Sequence, residues 1–258
     1  MKHRYFYLVE LQYLGYRYHG WQKQPGLKTI EKMVERTVRF VLEQESFKVL
    51  VTGRTDAMVS ATQTYFELFL KDELDTSKFL TDLNWNLPSD IRAISIKEVD
   101  QKFNVINDPK EKEYNYHFSF GSKNHPFAAP FICCIQEQLN LEAMIESACL
   151  FEGTHDFRNY CYKPSESTNF SREIVLSEIV PNEDLRANFF PEKSYTYRVR
   201  GKGFMRHQVR MMMGALFSVG KGELNKANIQ KSLSTKYISP HSYIAPASGL
   251  MLKEVDFE

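Results

Sequence analysis

The order of hydrophobic patterns along the chain constrains its fold more than any other feature of the sequence. Alternating apolar residues predict strands, and apolar residues spaced by three and four predict helices. In the first half these patterns follow the order strand, helix, strand, strand, helix, strand, which is the split β-α-β arrangement of ferredoxin-like domains. The predicted strands are 5–13, 47–51, 62–70 and 91–99, and the predicted helices are 29–44 and 76–87.

The second half repeats this order loosely. Strands are predicted at 113–120, 174–180, 195–200 and 250–255, and helices at 141–151, 203–219 and 226–234. Residues 101–111, rich in Asn, Asp and Lys, are the expected joint. We therefore predict an α+β protein with two ferredoxin-like halves, residues 1–105 and 106–258, on either side of a central cleft.

Length and composition narrow the class of protein. A chain of 258 residues with 43% hydrophobic and 25% charged residues fits one large or two small globular domains. Because the net charge is only +1, a nucleic-acid partner would need a local basic patch. Neither a membrane-spanning run nor a signal peptide is recognised, so a cytoplasmic protein without a membrane partner is expected. The four cysteines lack CxxC spacing, so no metal site is expected.

The segment Val51–Ala57 places Arg54 and Asp56 in the connection between the second and third predicted strands. Gly53 lets the backbone bend sharply there, and a carboxylate in such a loop can act as a nucleophile. The alternative is a purely structural role, in which Thr55 or Asp56 caps a helix or closes a turn.

Two arginines, Arg206 and Arg210, lie one turn apart on the predicted helix 203–219, beside an apolar stripe that includes Met205 and Val209. Like charges at this spacing repel by about 0.2–0.5 kcal/mol unless an anion meets them. A solvated basic face is the alternative. Because the arginines flank a buried stripe, we expect at least one of them to face a carboxylate or a phosphate.

Aromatic residues supply two further candidates. Tyr114 and Tyr116 share one face of a predicted strand, where they could belong to the core or stack on a base. The loop 16–24 mixes aromatic residues with Arg, Lys and amides, among them Gln22. This composition suits unstacked nucleotides, although surface loops without ligands share it.

Together these segments resemble the tRNA pseudouridine synthase A (TruA) family, and the resemblance covers nearly the whole chain. The family's fold, two ferredoxin-like halves around a cleft, agrees with the predicted order of elements. The matching motifs, in the family's order, are Gly20-Trp21-Gln22 within 13–24, Gly53-Arg54-Thr55-Asp56-Ala57, Tyr114-Asn115-Tyr116, Gly153-Thr154-His155-Asp156-Phe157, 204–214 and Ala245-Pro246-Ala247-Ser248-Gly249-Leu250.

The resemblance implies an enzyme that converts uridine to pseudouridine in tRNA, in the anticodon stem-loop, without a cofactor or a metal. It implies that Asp56 is the nucleophile and that Arg210 pairs with it. It also implies that Arg54 fills the space left by the flipped base or holds its phosphate. A homodimer that binds one tRNA with both subunits is expected on the same ground.

The substrate-binding residues expected from the motifs are Tyr114, Arg54, Arg206 and Gln22. Tyr114 would stack on the flipped uracil and help to remove the ring proton afterwards. The base must leave its stack at a cost of a few kcal/mol. Stacking and phosphate contacts offset that cost.

Several positions depart from the family pattern. Met58 and Ser60 stand where Gly and His are usual, Ser248 replaces a His, Leu14 replaces an Asp, and residues 103–106 lack an Arg. Three alternatives therefore stay open: a synthase acting on another RNA, an RNA-binding paralogue without turnover, and a plain ferredoxin-like RNA-recognition module. The third is disfavoured because its strand motifs match poorly.

Overall fold

The structure is a computed structural model that describes residues 4–234 and 243–257. The chain forms two compact units. Unit 1 contains the residues up to Lys110 together with those from Leu252 onward, and unit 2 runs from Glu111 to Met251. The predicted boundary after residue 105 lies close to this junction, whereas the end of the last strand belongs with unit 1.

The strands are β1 (Tyr5–Tyr13), β2 (Lys48–Val51), β3 (Ser60–Leu70), β4 (Ile91–Glu98), β5 (Glu111–Phe120), β6 (Cys133–Ile135), β7 (Gly153–Asp156), β8 (Ser171–Pro181), β9 (Tyr195–Gly201) and β10 (Leu250–Asp256). The helices are α1 (Ile30–Leu42), α2 (Thr76–Asn86), α3 (Leu141–Ala148), α4 (Gln208–Gly220) and α5 (Lys226–Ser232).

In unit 1 the strands follow the order β4-β1-β3, and β2 also pairs with β3. All of these pairs are antiparallel. The part of β10 that belongs to unit 1 lies beside the start of β3, where the Thr62 hydroxyl donates to the Lys253 carbonyl at 2.8 Å. The order β4-β1-β3-β2 is that of a ferredoxin-like β-α-β-β-α-β domain, so the predicted α+β class is confirmed.

The first helix illustrates why the predicted elements form. Ile30, Val34 and Val38 of α1 are spaced by four and are all buried, which gives the helix one apolar face. The Thr29 hydroxyl accepts from the Lys32 amide, as expected of an N-cap.

In unit 2 the strands follow the order β5-β9-β8-β7, with antiparallel pairing, and the short β6 pairs parallel with β5. Almost every residue of α4 is buried. Its Phe217 packs edge-on against Tyr116 and Phe118 of β5, with ring centroids 6.0 Å and 5.5 Å apart. This contact between helix and strand forms part of the core of unit 2.

The predicted helix 203–219 is wrong at its start. α4 begins at Gln208, so Arg206 precedes the helix and does not lie one turn from Arg210 on a shared face. His207 has φ 59°, a left-handed conformation that interrupts the helical path. In addition, the Met205 amide donates to the Gln208 side chain at 2.9 Å and closes a turn before the helix.

Two other local differences concern short elements. The predicted helix 141–151 ends at Ala148 and continues as a 3-10 turn through Phe151. The strands β6 and β7 were not predicted, because three or four residues are too few to show an alternating pattern. Within residues 4–234 and 243–257, no helix combines the length and apolar character needed to cross a membrane.

Candidate active site

Asp56 lies in the connection between β2 and β3, here called the Asp56 loop (residues 52–59). Its side chain is half-buried, whereas Arg54 is exposed. The Asp56 carbonyl accepts from the Val59 amide at 3.2 Å, which closes a tight turn. The loop leads into a strand, so neither Thr55 nor Asp56 caps a helix.

Thr55, the residue before Asp56, is held at two points. Its hydroxyl and that of Tyr13 on β1 lie 2.7 Å apart and form a buried hydrogen bond. Its carbonyl accepts from the Trp21 amide at 3.1 Å. Both Tyr13 and Trp21 are nearly inaccessible to solvent. The backbone next to Asp56 is therefore anchored to β1 and to the Gly20-Trp21-Gln22 motif.

Two glycines allow the chain to approach the Asp56 loop closely. Gly20 has φ +82°, and a Cβ there would lie 2.6 Å from the Thr55 carbonyl oxygen. At Gly15 a Cβ would lie 1.9 Å from the Val59 carbonyl oxygen. The Gly15 amide donates to the Ser60 hydroxyl at 2.9 Å, so Ser60 joins the end of the loop to this turn. Larger residues at either glycine would displace the loop.

A polar chain supports the other side of the loop. The Met58 amide donates to the Tyr18 carbonyl at 3.0 Å, and the Tyr18 hydroxyl donates to Asp90 at 2.6 Å. Arg17 also donates to Asp90, at 2.9 Å through Nη2. Burial and the hydrogen bond to Asp90 raise the pKa of Tyr18 to about 12. Burial opposes ionisation of Asp90, but the hydrogen bonds from Arg17 and Tyr18 outweigh it and lower the pKa of this carboxyl.

Met58 has φ 67°, the left-handed conformation that favours glycine. The family pattern has Gly at this position, so the backbone keeps the shape that the pattern requires although the residue has changed. The Met58 side chain is 36% exposed. The departure from the family pattern therefore adds an accessible apolar side chain two residues after Asp56.

In unit 2, Tyr114 lies on β5 opposite Val199 of β9 and is half-buried. Phe204 packs edge-on against its ring, with centroids 5.2 Å apart. Tyr116 is fully buried, and its hydroxyl donates to the Pro246 carbonyl at 2.8 Å. Of the two tyrosines on this face, Tyr116 has a core role and Tyr114 keeps an accessible surface.

Arg210 lies in the first turn of α4 and is half-buried. Its Nε donates to the Ala245 carbonyl at 2.8 Å, and the Ala245 amide donates back to the Arg210 carbonyl at 3.1 Å. The motif that begins at Ala245 therefore orients Arg210. Arg206 is exposed and lies over the ring of Tyr162.

The predicted site residues thus divide between the two units. Arg54, Asp56 and the exposed Gln22 belong to unit 1, and Tyr114, Arg206 and Arg210 belong to unit 2. Among the residues that the structure describes, no three His, Cys, Asp or Glu side chains are grouped as metal ligands would be.

Sequence reasoning missed Tyr13, Tyr18 and Asp90 as supports of the Asp56 loop. The alternation of β1 marks Tyr13 only as an inward-facing residue. Nothing local marks Asp90, since its partner Tyr18 is 72 residues away in sequence.

Comparison with known proteins identifies the class. Residues 148–258 match the model of a family described as tRNA pseudouridine synthase. The tRNA pseudouridine synthase A of Staphylococcus aureus (strain MRSA252) is 30% identical over 248 residues, 96% of this chain and 90% of that protein. The enzyme of the same name from an Exiguobacterium species (strain AT1b) is 31% identical over 246 residues, 95% of each chain.

The chain belongs to the tRNA pseudouridine synthase A family. The resemblance inferred from the motifs, and the class of enzyme that it implies, a pseudouridine-forming isomerase, are thereby confirmed.

Among solved structures, the archaeal box H/ACA sRNP Nop10-Cbf5 complex is similar over 80% of this chain and 45% of that one, with 17% identity and a TM-score of 0.35. A Cbf5-Nop10-Gar1 complex is similar over 85% of this chain and 55% of that one, with 13% identity and a TM-score of 0.30.

Proposed function

We propose that this protein isomerises uridine to pseudouridine in the anticodon stem-loop of tRNA, with Asp56 as the nucleophile. The chain belongs to this family, and the observation that carries the proposal is that the Asp56 loop is anchored on both sides of Asp56. Hydrogen bonds with Tyr13 and Trp21 fix Thr55, and the turn to Val59 fixes the other side of Asp56. A carboxylate whose backbone is fixed in this way is preorganised for one position of the substrate.

The reaction is balanced without a change of oxidation state. The bond between nitrogen 1 of uracil and carbon 1′ of ribose breaks, and a bond from carbon 5 of uracil to carbon 1′ forms. The proton on carbon 5 leaves, and nitrogen 1 gains a proton. The Asp56 carboxylate assists the first bond cleavage, either by attacking the sugar or by a route through a glycal. Both routes begin from the ionised carboxylate.

Arg210 pairs with Asp56 in the proposal and keeps it ionised and oriented. Its guanidinium is already directed by the Ala245 carbonyl, so little side-chain entropy is lost when it meets a carboxylate. The half-buried position of Arg210 strengthens a charge pair relative to one in bulk water.

The remaining residues bind the RNA. Tyr114 stacks on the flipped uracil and helps to remove the proton from carbon 5, and Phe204 holds its ring. Arg54, exposed beside Asp56, fills the space left by the base or holds its phosphate. Arg206 contacts a phosphate, and the amide of Gln22 hydrogen-bonds the nucleotide.

We further propose that the protein is cytoplasmic and works as a homodimer in which one tRNA touches both subunits. Light scattering at micromolar concentration tests the dimer. A mass of two chains supports it, and a mass of one chain removes it.

Mapping pseudouridines in transcribed tRNA after incubation with the protein tests the proposed target. Carbodiimide-dependent stops of reverse transcription confined to the anticodon stem-loop are expected. Stops elsewhere, or in another RNA only, would favour the alternative synthase. That alternative is motivated by Met58 and Ser60, two departures located in or next to the Asp56 loop. If tRNA binds but no stops form, the RNA-binding paralogue is the better account.

A further inference from the structure

A cluster of two cations and two rings lies in unit 2 just before α4. It consists of Tyr162, Lys163, Arg206 and His207 and is called here the Tyr162 cluster. The rings of Tyr162 and His207 are stacked, with centroids 4.7 Å apart and an angle of 10° between their planes. The Tyr162 amide donates to the Arg206 carbonyl at 3.1 Å, so the two segments that carry these residues are joined through the backbone.

Both cations lie over the same ring. The guanidinium carbon of Arg206 and the Nζ of Lys163 are each 5.3 Å from the centroid of Tyr162. Cation–π attraction of about 0.5–1 kcal/mol at an exposed site holds each of them there. The ring therefore gathers two positive charges that would otherwise repel each other.

Neither charge is neutralised within the described ranges, 4–234 and 243–257. Both side chains are exposed, and neither Arg206 nor Lys163 forms an ion pair with a residue in these ranges. Other arginines of unit 2 differ: Arg158 pairs with Asp156, and Arg200 pairs with Glu113 at 2.7 Å. The Tyr162 cluster is thus a local positive patch on a chain whose net charge is only +1.

The backbone holds the cluster in place. Lys163 has φ 45° and His207 has φ 59°, and left-handed residues other than glycine cost about 1–2 kcal/mol each. Such conformations persist only where the surrounding structure imposes them. The first turn of α4 contains no acidic residue, so the positive end of the helix dipole adds to the field of the two cations.

We propose that the Tyr162 cluster is a binding site for a phosphate of the RNA backbone. The guanidinium of Arg206 can donate two hydrogen bonds to one phosphate, and Lys163 adds a point charge beside it. Contact with the Tyr162 ring restricts both cations before RNA binds. Contacts of this kind fix the register of an RNA without reading its sequence. The site rests on the proposed function, since its ligand is the same tRNA.

The salt dependence of tRNA binding tests this site. The double variant Lys163→Gln/Arg206→Gln is compared with the wild type by filter binding at several KCl concentrations. Because both cations contact one phosphate, losing the site should reduce the slope of log K against log salt by about 0.7–0.9. Affinity for tRNA should fall roughly tenfold or more at the lowest salt concentration, where the two contacts are strongest.

Two further variants separate this site from a general effect of charge. Lys123→Gln/Lys193→Gln removes two exposed lysines of unit 2 and should leave the slope near that of the wild type. Tyr162→Leu keeps both cations but removes the ring beneath them. It should weaken tRNA binding severalfold while changing the slope little, because the number of charges is unchanged. Thermal melting confirms that each variant is folded.

The outcomes distinguish this proposal from the proposed function. If the wild type forms pseudouridine in tRNA but Lys163→Gln/Arg206→Gln keeps the wild-type slope and affinity, the phosphate site is wrong and the function stands. The phosphate site is also wrong if the Lys123→Gln/Lys193→Gln control reduces the slope of log K against log salt as much as Lys163→Gln/Arg206→Gln does. If the wild type neither binds nor modifies tRNA, both proposals are overturned.

Discussion

The hydroxyl groups of Tyr13 and Thr55 form a buried hydrogen bond of 2.7 Å that links β1 to the residue before Asp56. The two residues are 42 positions apart in sequence. The position of the proposed nucleophile therefore depends on β1, which α1 and β2 separate from the Asp56 loop in the sequence, and not on the loop alone.

Tyr13→Phe should reduce catalysis more than tRNA binding. The substitution leaves the buried Thr55 hydroxyl without this partner, which costs about 1–3 kcal/mol of stability. It also loosens the backbone at Asp56, and a misplacement on the order of 1 Å can lower kcat by up to about 100-fold. Steady-state kinetics with tRNA should show a lower kcat and a nearly unchanged KM.

Tyr7→Phe is the matched control. Tyr7 also lies on β1, is buried, and accepts from the Leu74 amide at 2.9 Å, far along the strand from Thr55. It should lose a comparable amount of stability while kcat stays at the wild-type value. If the two variants lose kcat equally, the Tyr13–Thr55 bond has no special part in positioning Asp56.

Met58→Gly should stabilise the protein. Glycine adopts the φ of 67° without steric cost. This relief of strain more than offsets the larger conformational entropy that glycine loses on folding. A gain of about 0.5–1 kcal/mol corresponds to a rise in Tm of roughly 1–4 °C for a protein of this size. Differential scanning calorimetry measures it.

Met58→Ala provides the comparison, because it shortens the side chain but keeps the strained conformation. It should not raise the Tm. Glu43→Gly relieves a second left-handed residue, at φ 49° after α1, and should stabilise in the same way. If Met58→Ala raises the Tm as much as Met58→Gly, the stabilisation comes from shortening the side chain and not from relieving the backbone.

Asp90→Asn should change the pH dependence of stability. The pKa of Asp90 is lowered in the folded protein, so the carboxylate contributes stability above its unfolded pKa, near 3.9, and loses it as the pH falls through the folded pKa. At pH 7 the variant should be less stable by about 1 kcal/mol. Denaturant titrations should show this difference shrinking below about pH 4.

Glu67→Gln should have the opposite effect on stability at neutral pH. Burial raises the pKa of Glu67, so its charged form costs stability at neutral pH, and that cost is relieved as the pH falls through the folded pKa. The variant should therefore be more stable than the wild type at pH 7 and lose this advantage in acid. Parallel pH profiles for the two variants would contradict these assignments.

Much of the fold could be predicted from the sequence, because alternation and helical spacing are local. The bounds of β1 were predicted at Tyr5 and Tyr13 as the structure has them, and the predicted start of the first helix, residue 29, lies one residue before Ile30, the first residue of α1. The start of α4 could not be predicted in this way. His207 and the turn closed by Gln208 override a helical pattern that would otherwise begin at Gly203.

The candidate site was predicted mainly from sequence motifs. These motifs say little about the residues that hold the Asp56 loop in place. Asp56 and Arg210 were named from their surroundings and the family resemblance. The bond from Tyr13 to Thr55 and the link from Tyr18 to Asp90 depend on tertiary packing, which no local pattern records. Their roles follow from the structure.

The central claim is that Asp56 is the essential nucleophile of a tRNA pseudouridine synthase. Tritium release from transcribed tRNA labelled at carbon 5 of uracil tests it most directly, with the wild type, Asp56→Ala and the exposed-carboxylate control Asp72→Ala side by side. The wild type and Asp72→Ala should release tritium, whereas Asp56→Ala should be slower by on the order of 10⁴-fold or more. Release by Asp56→Ala at the wild-type rate would contradict the account.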